Sequence, residues 1–369
     1  MNKRGWWIVL IIIVVVIVIV ASRGSKKTDV TSTEKTPVKI GVSLPLTGSL
    51  AFIGETDKNA ALIAQEEIAA NKNLKHSYEL VFEDDAFDAQ KGASSINKLV
   101  NVDKVSGLIS VGSTVGNVAT PIAEASKVPH IGMASDPNVA KGQYNFIHWT
   151  RPQEEVTALV SELQRRKLTK VAIIGLNQQG FKAIEDDFVE KARVAGITVV
   201  GNETFNTGQK DFRTIIAKLQ KTNPQIYLLG AFDPEIGIMA KQMQSAGIKT
   251  PLTSVESFGL TSDATPFEGQ WYVDSAVPSA TFVQNYQTKY GKEPGPAAGN
   301  VYDAIHLFVR AAESIQGEVT HDKIAEALSK DSSYTGALGA LTSNSDGIFI
   351  SQAAVKIIKN GKPEVFIVQ

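Results

Sequence analysis

Two segments that combine hydroxyl groups with small residues could bind an anion. Residues 111–117 read Val-Gly-Ser-Thr-Val-Gly-Asn, follow an apolar run at 107–111 that predicts a strand, and precede a helical pattern at 119–126. Hydroxyl groups and free backbone N–H groups at a helix start attract a carboxylate or another anion. Residues 132–137, Gly-Met-Ala-Ser-Asp-Pro, follow the next predicted strand, so both segments should converge on one small anionic group.

A third segment offers the opposite charge. Residues 253–258 place Glu256 among small and aromatic residues after an apolar stretch, and Phe232 and Asp233 follow another predicted strand. One half of the chain would then supply anion donors and the other a carboxylate. The alternative is that Glu256 is an ordinary loop acid or a charge at a helix N-terminus.

The remaining titratable residues form no catalytic pattern. The histidines are scattered singly: His76, His130, His148, His306 and His321. Asp84 and Asp85 could form a carboxylate site, but Asp88 more simply caps a helix and Asp85 braces a loop. Metal-binding, nucleophile-elbow and phosphate-loop motifs are absent from the sequence. We therefore expect neither an enzyme nor a cofactor.

Short aliphatic runs alternate with longer amphipathic ones, which predicts an α/β fold with mostly parallel sheets. The first strand, Val38–Leu44, ends in Pro-Leu-Thr-Gly at 45–48 and leads through residues 50–54 towards a helix. Loops at this end of parallel strands bind ligands in open α/β sheets. The pattern restarts at 170–194, after Thr-Arg-Pro at 150–152, which indicates a second lobe.

The N-terminus predicts export. Residues 6–21 are wholly apolar and would span about 24 Å as a helix, so they form either a membrane anchor or a signal sequence cut at Ala21. Residues 22–36 are rich in Ser, Thr and Lys and predict a flexible linker. The absence of cysteine excludes disulfides and a lipid-bearing cysteine. A net charge of −1 without a basic stripe argues against nucleic acid as a partner.

Several blocks in order, among them VKIGVSLPLTG, FEDDAFD, GSTVGNVATPIAEASKVPHIGMASDP and VAIIGLNQQG, resemble the Leu/Ile/Val-binding family of ABC-importer substrate-binding proteins. The resemblance runs from about Val38 to the C-terminus. It implies the type I periplasmic-binding-protein fold, in which two doubly wound parallel-sheet lobes are joined by a three-segment hinge. The chain would cross near Thr150, at 276–279 and at 335–340. Lobe 1 would comprise 37–150 plus 278–337, and lobe 2 would comprise 151–277 plus 338–369.

The same resemblance assigns ligand contacts. Ser113, with neighbouring Thr114, falls where a hydroxyl holds the α-carboxylate of an amino acid. Ala134 and Ser135 fall where a backbone carbonyl and a second hydroxyl face the ligand. Glu256 falls where an acid receives the α-ammonium group.

Departures from the family pattern affect the side-chain pocket. An aromatic residue commonly precedes a glycine where this chain has Gly180 followed by Phe181, and Phe232 and Asp233 replace a frequent aromatic pair. Asp233 would either admit a polar or cationic substrate or cap the helix that follows it. We expect Phe52 and Ile53, on one rim of the cleft, to face the side chain of the ligand.

These features predict an extracytoplasmic solute-binding protein of an ABC importer that binds a branched-chain or related amino acid. Its partners would be the membrane, through the N-terminal helix, and a permease with its ATPase subunits, and the binding domain would be monomeric. Cleavage of the N-terminal segment would leave it secreted or periplasmic. The alternative is a sensory receptor for amino acids or other small carboxylates or amides, without transport.

Overall fold

The computed structural model describes residues 37–331, 333–343 and 347–366. The expected membrane segment at 1–21 and the linker at 22–36 lie outside these residues. Within the described ranges, no helix has both the length and the apolar character needed to cross a membrane.

The described residues form strands and helices in alternation. The strands are β1 (Val38–Leu44), β2 (Tyr78–Asp84), β3 (Gly107–Val111), β4 (His130–Met133), β5 (Asn145–His148), β6 (Lys170–Leu176), β7 (Thr198–Phe205), β8 (Ile226–Gly230), β9 (Leu252–Thr253), β10 (Trp271–Ser275), β11 (Ser333–Gly336), β12 (Gly339–Ser343), β13 (Ile348–Ile350), β14 (Ala353–Lys359) and β15 (Lys362–Val365). The α-helices are α1 (Ala51–Ala70), α2 (Ala89–Asn101), α3 (Ser113–Ser126), α4 (Pro152–Arg165), α5 (Gln179–Val194), α6 (Arg213–Gln220), α7 (Glu235–Ser245), α8 (Ala280–Tyr290), α9 (Ala298–Ser314) and α10 (His321–Lys330).

The first lobe is built on an eight-stranded sheet in the order β11-β12-β13-β5-β4-β3-β1-β2. Its strands from β13 to β2 pair in parallel, whereas β11, β12 and β13 pair in antiparallel fashion. Helices cover both faces, so neighbouring residues of one strand enter different cores. Leu108 packs with α2 and α3, and Ile109 packs with α9 on the other face. The continuous aliphatic runs seen in the sequence follow from this burial on both faces.

The second lobe contains two smaller sheets. The parallel sheet has the order β7-β6-β8-β9, and the antiparallel sheet has the order β10-β14-β15. A parallel bridge between Val255 and Val273 links them. Helix α4 contacts β10, β14 and α5, and its buried residues share one core with residues of both sheets.

The chain passes between the lobes three times. The first two passages lie at residues 149–151 and 276–279, between strands and helices of different lobes. The third lies at 351–352, because β12 and β13 still belong to the first sheet and β14 pairs with β10. This is later in the chain than the 335–340 that the family resemblance implies, since an antiparallel hairpin first extends the sheet. The hydroxyl groups of Thr150 and Ser351 lie 2.6 Å apart and join two of the passages.

The acidic segment after β2 is structural, as its position before a helix indicated. The carboxylate of Asp88 caps α2 by accepting the backbone N–H of Lys91 at 2.9 Å. Asp85 accepts the N–H of Phe87 at 2.8 Å and the hydroxyl of Ser43 at 2.7 Å. The interpretation of Asp88 as a cap and Asp85 as a brace is therefore confirmed.

Candidate ligand-binding site

A cavity lies between the two lobes, at the carboxyl ends of the parallel strands on both sides. The first lobe contributes the segments that follow β1, β3 and β4, and the second contributes those that follow β6, β8 and β9. Polar groups in the lining are few, and they come mainly from Ser113, Ser135, Gln178, Glu256 and Ser257. Most of the lining is apolar, which is typical of small-molecule sites.

Ser113 is the first residue of α3, which begins earlier than the predicted start at 119. The glycine before it has a φ of 83°, in the region that favours glycine, and this lets the chain turn directly from β3 into the helix. The Ser113 hydroxyl is buried and accepts the backbone N–H of Asp136 at 3.1 Å. Its own proton has no acceptor among the described residues and can be donated to a ligand oxygen.

A second helix N-terminus approaches Ser113 from the other lobe. Helix α5 begins at Gln179, and a Cβ atom on Gly180 would lie only 2.7 Å from the Ser113 hydroxyl oxygen. The Gln178 amide donates to the Thr114 hydroxyl at 3.2 Å and links the lobes. Two helix N-termini therefore face one space, and each carries partial positive charge. This arrangement suits a carboxylate.

Glu256 supplies the negative side of the cavity. Its carboxylate is buried and accepts the indole N–H of Trp149 at 2.5 Å and the hydroxyl of Ser135 at 2.9 and 3.1 Å. Burial raises the pKa of Glu256, while these two donors oppose the rise by stabilising the charged form. Its backbone has a φ of 62°, which is uncommon for a residue with a side chain, and its N–H donates to the carbonyl of Val273 at 2.8 Å. The local chain thus turns the carboxylate towards the first lobe.

Apolar side chains line the rest of the cavity. Leu50 and Ile53 enter it from the start of α1, and Phe87 and Phe232 meet edge to face with ring centroids 5.3 Å apart. A Cβ atom on residue 112 would lie 2.1 Å from the Phe87 ring, so Gly112 also leaves room for this aromatic side chain. These groups suit an aliphatic ligand side chain.

Phe181 lines the cavity on the side of the second lobe. Its ring packs over Gly175 and Gly230, which are paired at the ends of β6 and β8. A Cβ atom on either glycine would come within 2.0 and 1.7 Å, respectively, of the ring. The aromatic side chain that seemed displaced in the sequence therefore lines the cavity, because two glycines admit it.

The structure brings most of the predicted residues together. Those that line the cavity are Ile53, Ser113, Ala134, Ser135, Phe181, Phe232 and Glu256. Thr114 lies beside the lining and contacts Gln178 instead. Trp149, Phe87 and Gln178 were not singled out from the sequence. Gln178 lies two residues after the end of β6, and this position could have indicated a role in the cavity. The sequence around Trp149 and Phe87 gave no comparable signal.

Two expected contacts are wrong. Phe52 does not line the cavity, because consecutive residues of a helix point about 100° apart and its neighbour Ile53 takes that direction. Asp233 neither lines the cavity nor caps α7. Its carboxylate accepts the Thr261 hydroxyl at 2.8 Å and the Ser262 N–H at 2.6 Å, which fastens the loop after Glu256.

Comparison with known proteins identifies the family of this chain. Residues 37–362 match the family model described as periplasmic binding protein. A leucine-, isoleucine-, valine-, threonine- and alanine-binding protein from Pseudomonas aeruginosa is 28% identical over 321 residues, which cover 82% of this chain and 85% of the relative.

Solved structures share the fold of this chain. A leucine-binding protein from Thermotoga maritima superposes with a TM-score of 0.80 at 25% identity, covering 89% of this chain and 98% of that one. A solute-binding protein from R. palustris in complex with benzoate has a TM-score of 0.80 at 17% identity, over 89% of this chain and 95% of that one, and shows the shared fold. The chain has the type I α/β fold and belongs to the periplasmic binding protein family, which confirms the resemblance to Leu/Ile/Val-binding proteins read from its sequence.

Proposed function

We propose that this protein binds a small amino acid with an aliphatic side chain between its lobes and delivers it to an ABC permease. The observation that carries the proposal is the pairing of opposite charges in one buried cavity. The start of α3 at Ser113 offers donors for a carboxylate, and Glu256 offers an acceptor for an ammonium group. Only a ligand that carries both groups satisfies both sides.

The apolar part of the cavity selects the side chain. Leu50, Ile53, Phe87 and Phe232 offer no hydrogen bond from their side chains, so a polar ligand side chain would lose its hydration without compensation. Leucine, isoleucine and valine fit this environment. The name of the Pseudomonas aeruginosa relative includes leucine, isoleucine and valine, together with threonine and alanine, and the name of the Thermotoga maritima relative gives leucine.

Binding should favour the closed arrangement of the lobes. Ser135 and Trp149 donate to Glu256, and Gln178 donates to Thr114, so several contacts already span the cleft. A ligand that contacts both helix N-termini and Glu256 adds interactions that exist only when the lobes are together. Differential affinity for the closed state then drives closure.

The N-terminal segment would hold this binding domain at the outer face of the cell membrane. The wholly apolar run at 6–21 and the polar linker at 22–36 support a tether, and the lack of cysteine leaves the apolar segment as the means of attachment. The intact mass of the protein isolated from membranes tests this. A mass that matches the chain from Met1 supports the anchor. A mass that matches the chain without residues 1–21 supports a cleaved signal sequence.

Calorimetry with the detergent-solubilised full-length chain tests the ligand. We expect leucine, isoleucine or valine to bind, and 4-methylpentanoate, which is leucine without its amino group, to bind at least about 100-fold more weakly. Equal binding of the two, or preferential binding of benzoate, would overturn the assignment.

Transport is tested in cells. Deletion of the gene should abolish high-affinity uptake of the radiolabelled amino acid that calorimetry identifies. Unchanged uptake would instead favour the sensory role.

A further inference from the structure

Two apolar side chains of the second lobe reach across the cleft to the first. Phe232 and Leu260 both belong to the second lobe, and both pack against the hydrophobic core of the first lobe. Phe232 follows β8, and Leu260 lies in the loop after β9 that also carries Glu256. Both side chains line the cavity. The apolar surface that the second lobe turns towards the first therefore comes from two separate loops.

One carboxylate joins these two loops. Asp233, next to Phe232, accepts the hydroxyl group of Thr261 at 2.8 Å. It also accepts the backbone N–H and the hydroxyl group of Ser262, each at 2.6 Å. Thr261 and Ser262 come directly after Leu260, so the three hydrogen bonds connect the neighbours of both apolar side chains. We call these three bonds the Asp233 clamp.

The loop after β9 has little regular structure to hold it. Residues 256–264 belong to no helix or strand. The carbonyl of Glu256 accepts the N–H of Gly259 at 2.8 Å and that of Leu260 at 3.2 Å, which shapes the first turn of the loop but does not tie it to β8. Hydrogen bonds to an ionised acceptor are stronger than those between neutral groups. The Asp233 clamp is therefore well suited to fix Leu260 relative to Phe232.

We propose that Asp233 is a positioning residue, which holds Phe232 and Leu260 together as one apolar surface that closes the cavity over the side chain of the ligand. The inference rests on the proposed function in taking that side chain to be aliphatic. A loop that is fixed in advance loses less conformational freedom when the ligand binds. The clamp thus contributes to affinity although Asp233 does not line the cavity.

Asp233→Ala removes the clamp and leaves every residue of the cavity lining in place. In calorimetry with the detergent-solubilised full-length chain, we expect leucine to bind about tenfold more weakly, and alanine to stay within about threefold of its affinity for the unaltered chain. The two ligands differ because the longer side chain depends more on the apolar surface. A merely structural role would weaken both ligands alike. Equal losses for leucine and alanine, or no loss for leucine, would overturn the proposal.

Asp263→Ala is the matched control. Asp263 is an exposed acid of the same loop, and its carboxylate accepts the N–H of Thr265 at 3.0 Å and the Thr265 hydroxyl group at 2.5 Å, so it bonds within the loop and not to the segment after β8. The affinity of this variant for leucine should stay within about threefold of that of the unaltered chain. A loss as large as that of Asp233→Ala would mean that any disturbance of this loop weakens binding, which contradicts a specific role for Asp233.

Thr261→Val tests the other end of the clamp. It removes one of the three donors and should weaken leucine binding about threefold in the unaltered chain. In Asp233→Ala the same substitution should have little further effect, because its acceptor is already absent. Strictly additive losses would show that the two residues act independently and would refute the clamp.

A measurement without ligand separates this inference from the proposed function. Amide hydrogen exchange of the ligand-free chain reports how often the loop opens. The N–H groups of Gly259 and Leu260 should exchange about tenfold faster in Asp233→Ala than in the unaltered chain or in Asp263→Ala. Equal exchange rates would overturn the clamp even if leucine binds. Faster exchange in Asp233→Ala, in a protein that does not bind leucine, would support the clamp and overturn the proposed ligand.

Discussion

The rings of Phe87 and Phe232 meet edge to face across the cleft, with an angle of 74° between their planes. Phe87 follows β2 in the first lobe, and Phe232 follows β8 in the second. The contact joins the lobes and also bounds the apolar part of the cavity. If the protein functions as proposed, closure and side-chain recognition would share this pair of residues.

A double-mutant cycle measures this shared role. Phe87→Leu and Phe232→Leu should each weaken leucine binding, and their coupling should amount to about 0.5–1.5 kcal/mol, the usual value of an aromatic pair. The affinity for alanine as a ligand should fall less than the affinity for leucine, because the methyl group of alanine contacts less of the apolar lining. Calorimetry of the two single variants and the double variant gives the coupling directly.

The control is Phe205→Leu, which alters another edge-to-face pair inside the core of the second lobe. It should lower the melting temperature and leave affinity unchanged. Strictly additive losses for Phe87 and Phe232 would argue against the contact as a link between the lobes.

Glu256→Gln tests the ammonium side of the site. The substitution keeps the shape but removes the charge, so leucine should bind about 100-fold more weakly. Glu190→Gln, at an exposed position of the same lobe, is the matched control and should bind normally. An affinity for Glu256→Gln within threefold of the control would rule out its role as the ammonium acceptor.

Ser113→Ala tests the carboxylate side. The loss of one hydrogen bond to a charged group should weaken leucine binding about tenfold. Leucinamide, which lacks the carboxylate charge, should be affected less. Ser161→Ala removes an exposed hydroxyl that bonds only within α4 and should change neither value. Equal losses for leucine and leucinamide would place the carboxylate elsewhere.

The sequence singled out polar residues that the structure places around one cavity, because of their position in the chain. Ser113, Ser135 and Glu256 each follow a buried apolar run, and such ends of parallel strands lie at one edge of a sheet. Trp149 and Phe87 could not be found in this way, since their roles depend on which surfaces of the two lobes face each other. The family resemblance predicted that the chain passes between the lobes three times. Local sequence patterns do not show that β11 and β12 form a hairpin, which moves the third passage to a later position in the chain.

The packing of Phe181 predicts an unequal response of two glycines in the second lobe. Gly230→Ala places a methyl group within the Phe181 ring and should destabilise the fold by about 1–3 kcal/mol. The displaced ring should also weaken ligand binding. Gly237, inside α7, has open space where the methyl group of an alanine would lie, with no heavy atom within 4 Å other than those of its chain neighbours and of the backbone of its own helix. Gly237→Ala should therefore stabilise the fold by about 0.5–1 kcal/mol. Urea denaturation measures both changes, and a destabilised Gly237→Ala or a neutral Gly230→Ala would contradict this account.

The burial of Asp57 in the first lobe predicts that the stability of the fold depends on pH. It is fully buried in α1, and no described group donates to its carboxyl oxygens. Burial, aided by the charge of Asp85, raises the pKa of Asp57 well above its usual range. Because the unfolded chain ionises first, stability should fall as pH rises from the ordinary Asp pKa towards the raised one.

Asp57→Asn removes this titration. Its melting temperature relative to the unaltered chain should therefore rise with pH. Asp186→Asn, an exposed residue paired with Lys182, serves as the control and should show little such trend. A pH-independent difference for Asp57→Asn would mean that this carboxyl group ionises normally in the fold.

The hydrogen bond from Trp149 to Glu256 gives the protein an intrinsic optical reporter. An ammonium group that binds Glu256 changes the electric field at the Trp149 indole, whereas Trp271 lies in a closed core of the second lobe. Emission from Trp149 should therefore shift in wavelength or intensity when the cavity fills, and Trp149→Phe should abolish the change. Occupancy of the cavity could then be followed in time without any attached dye.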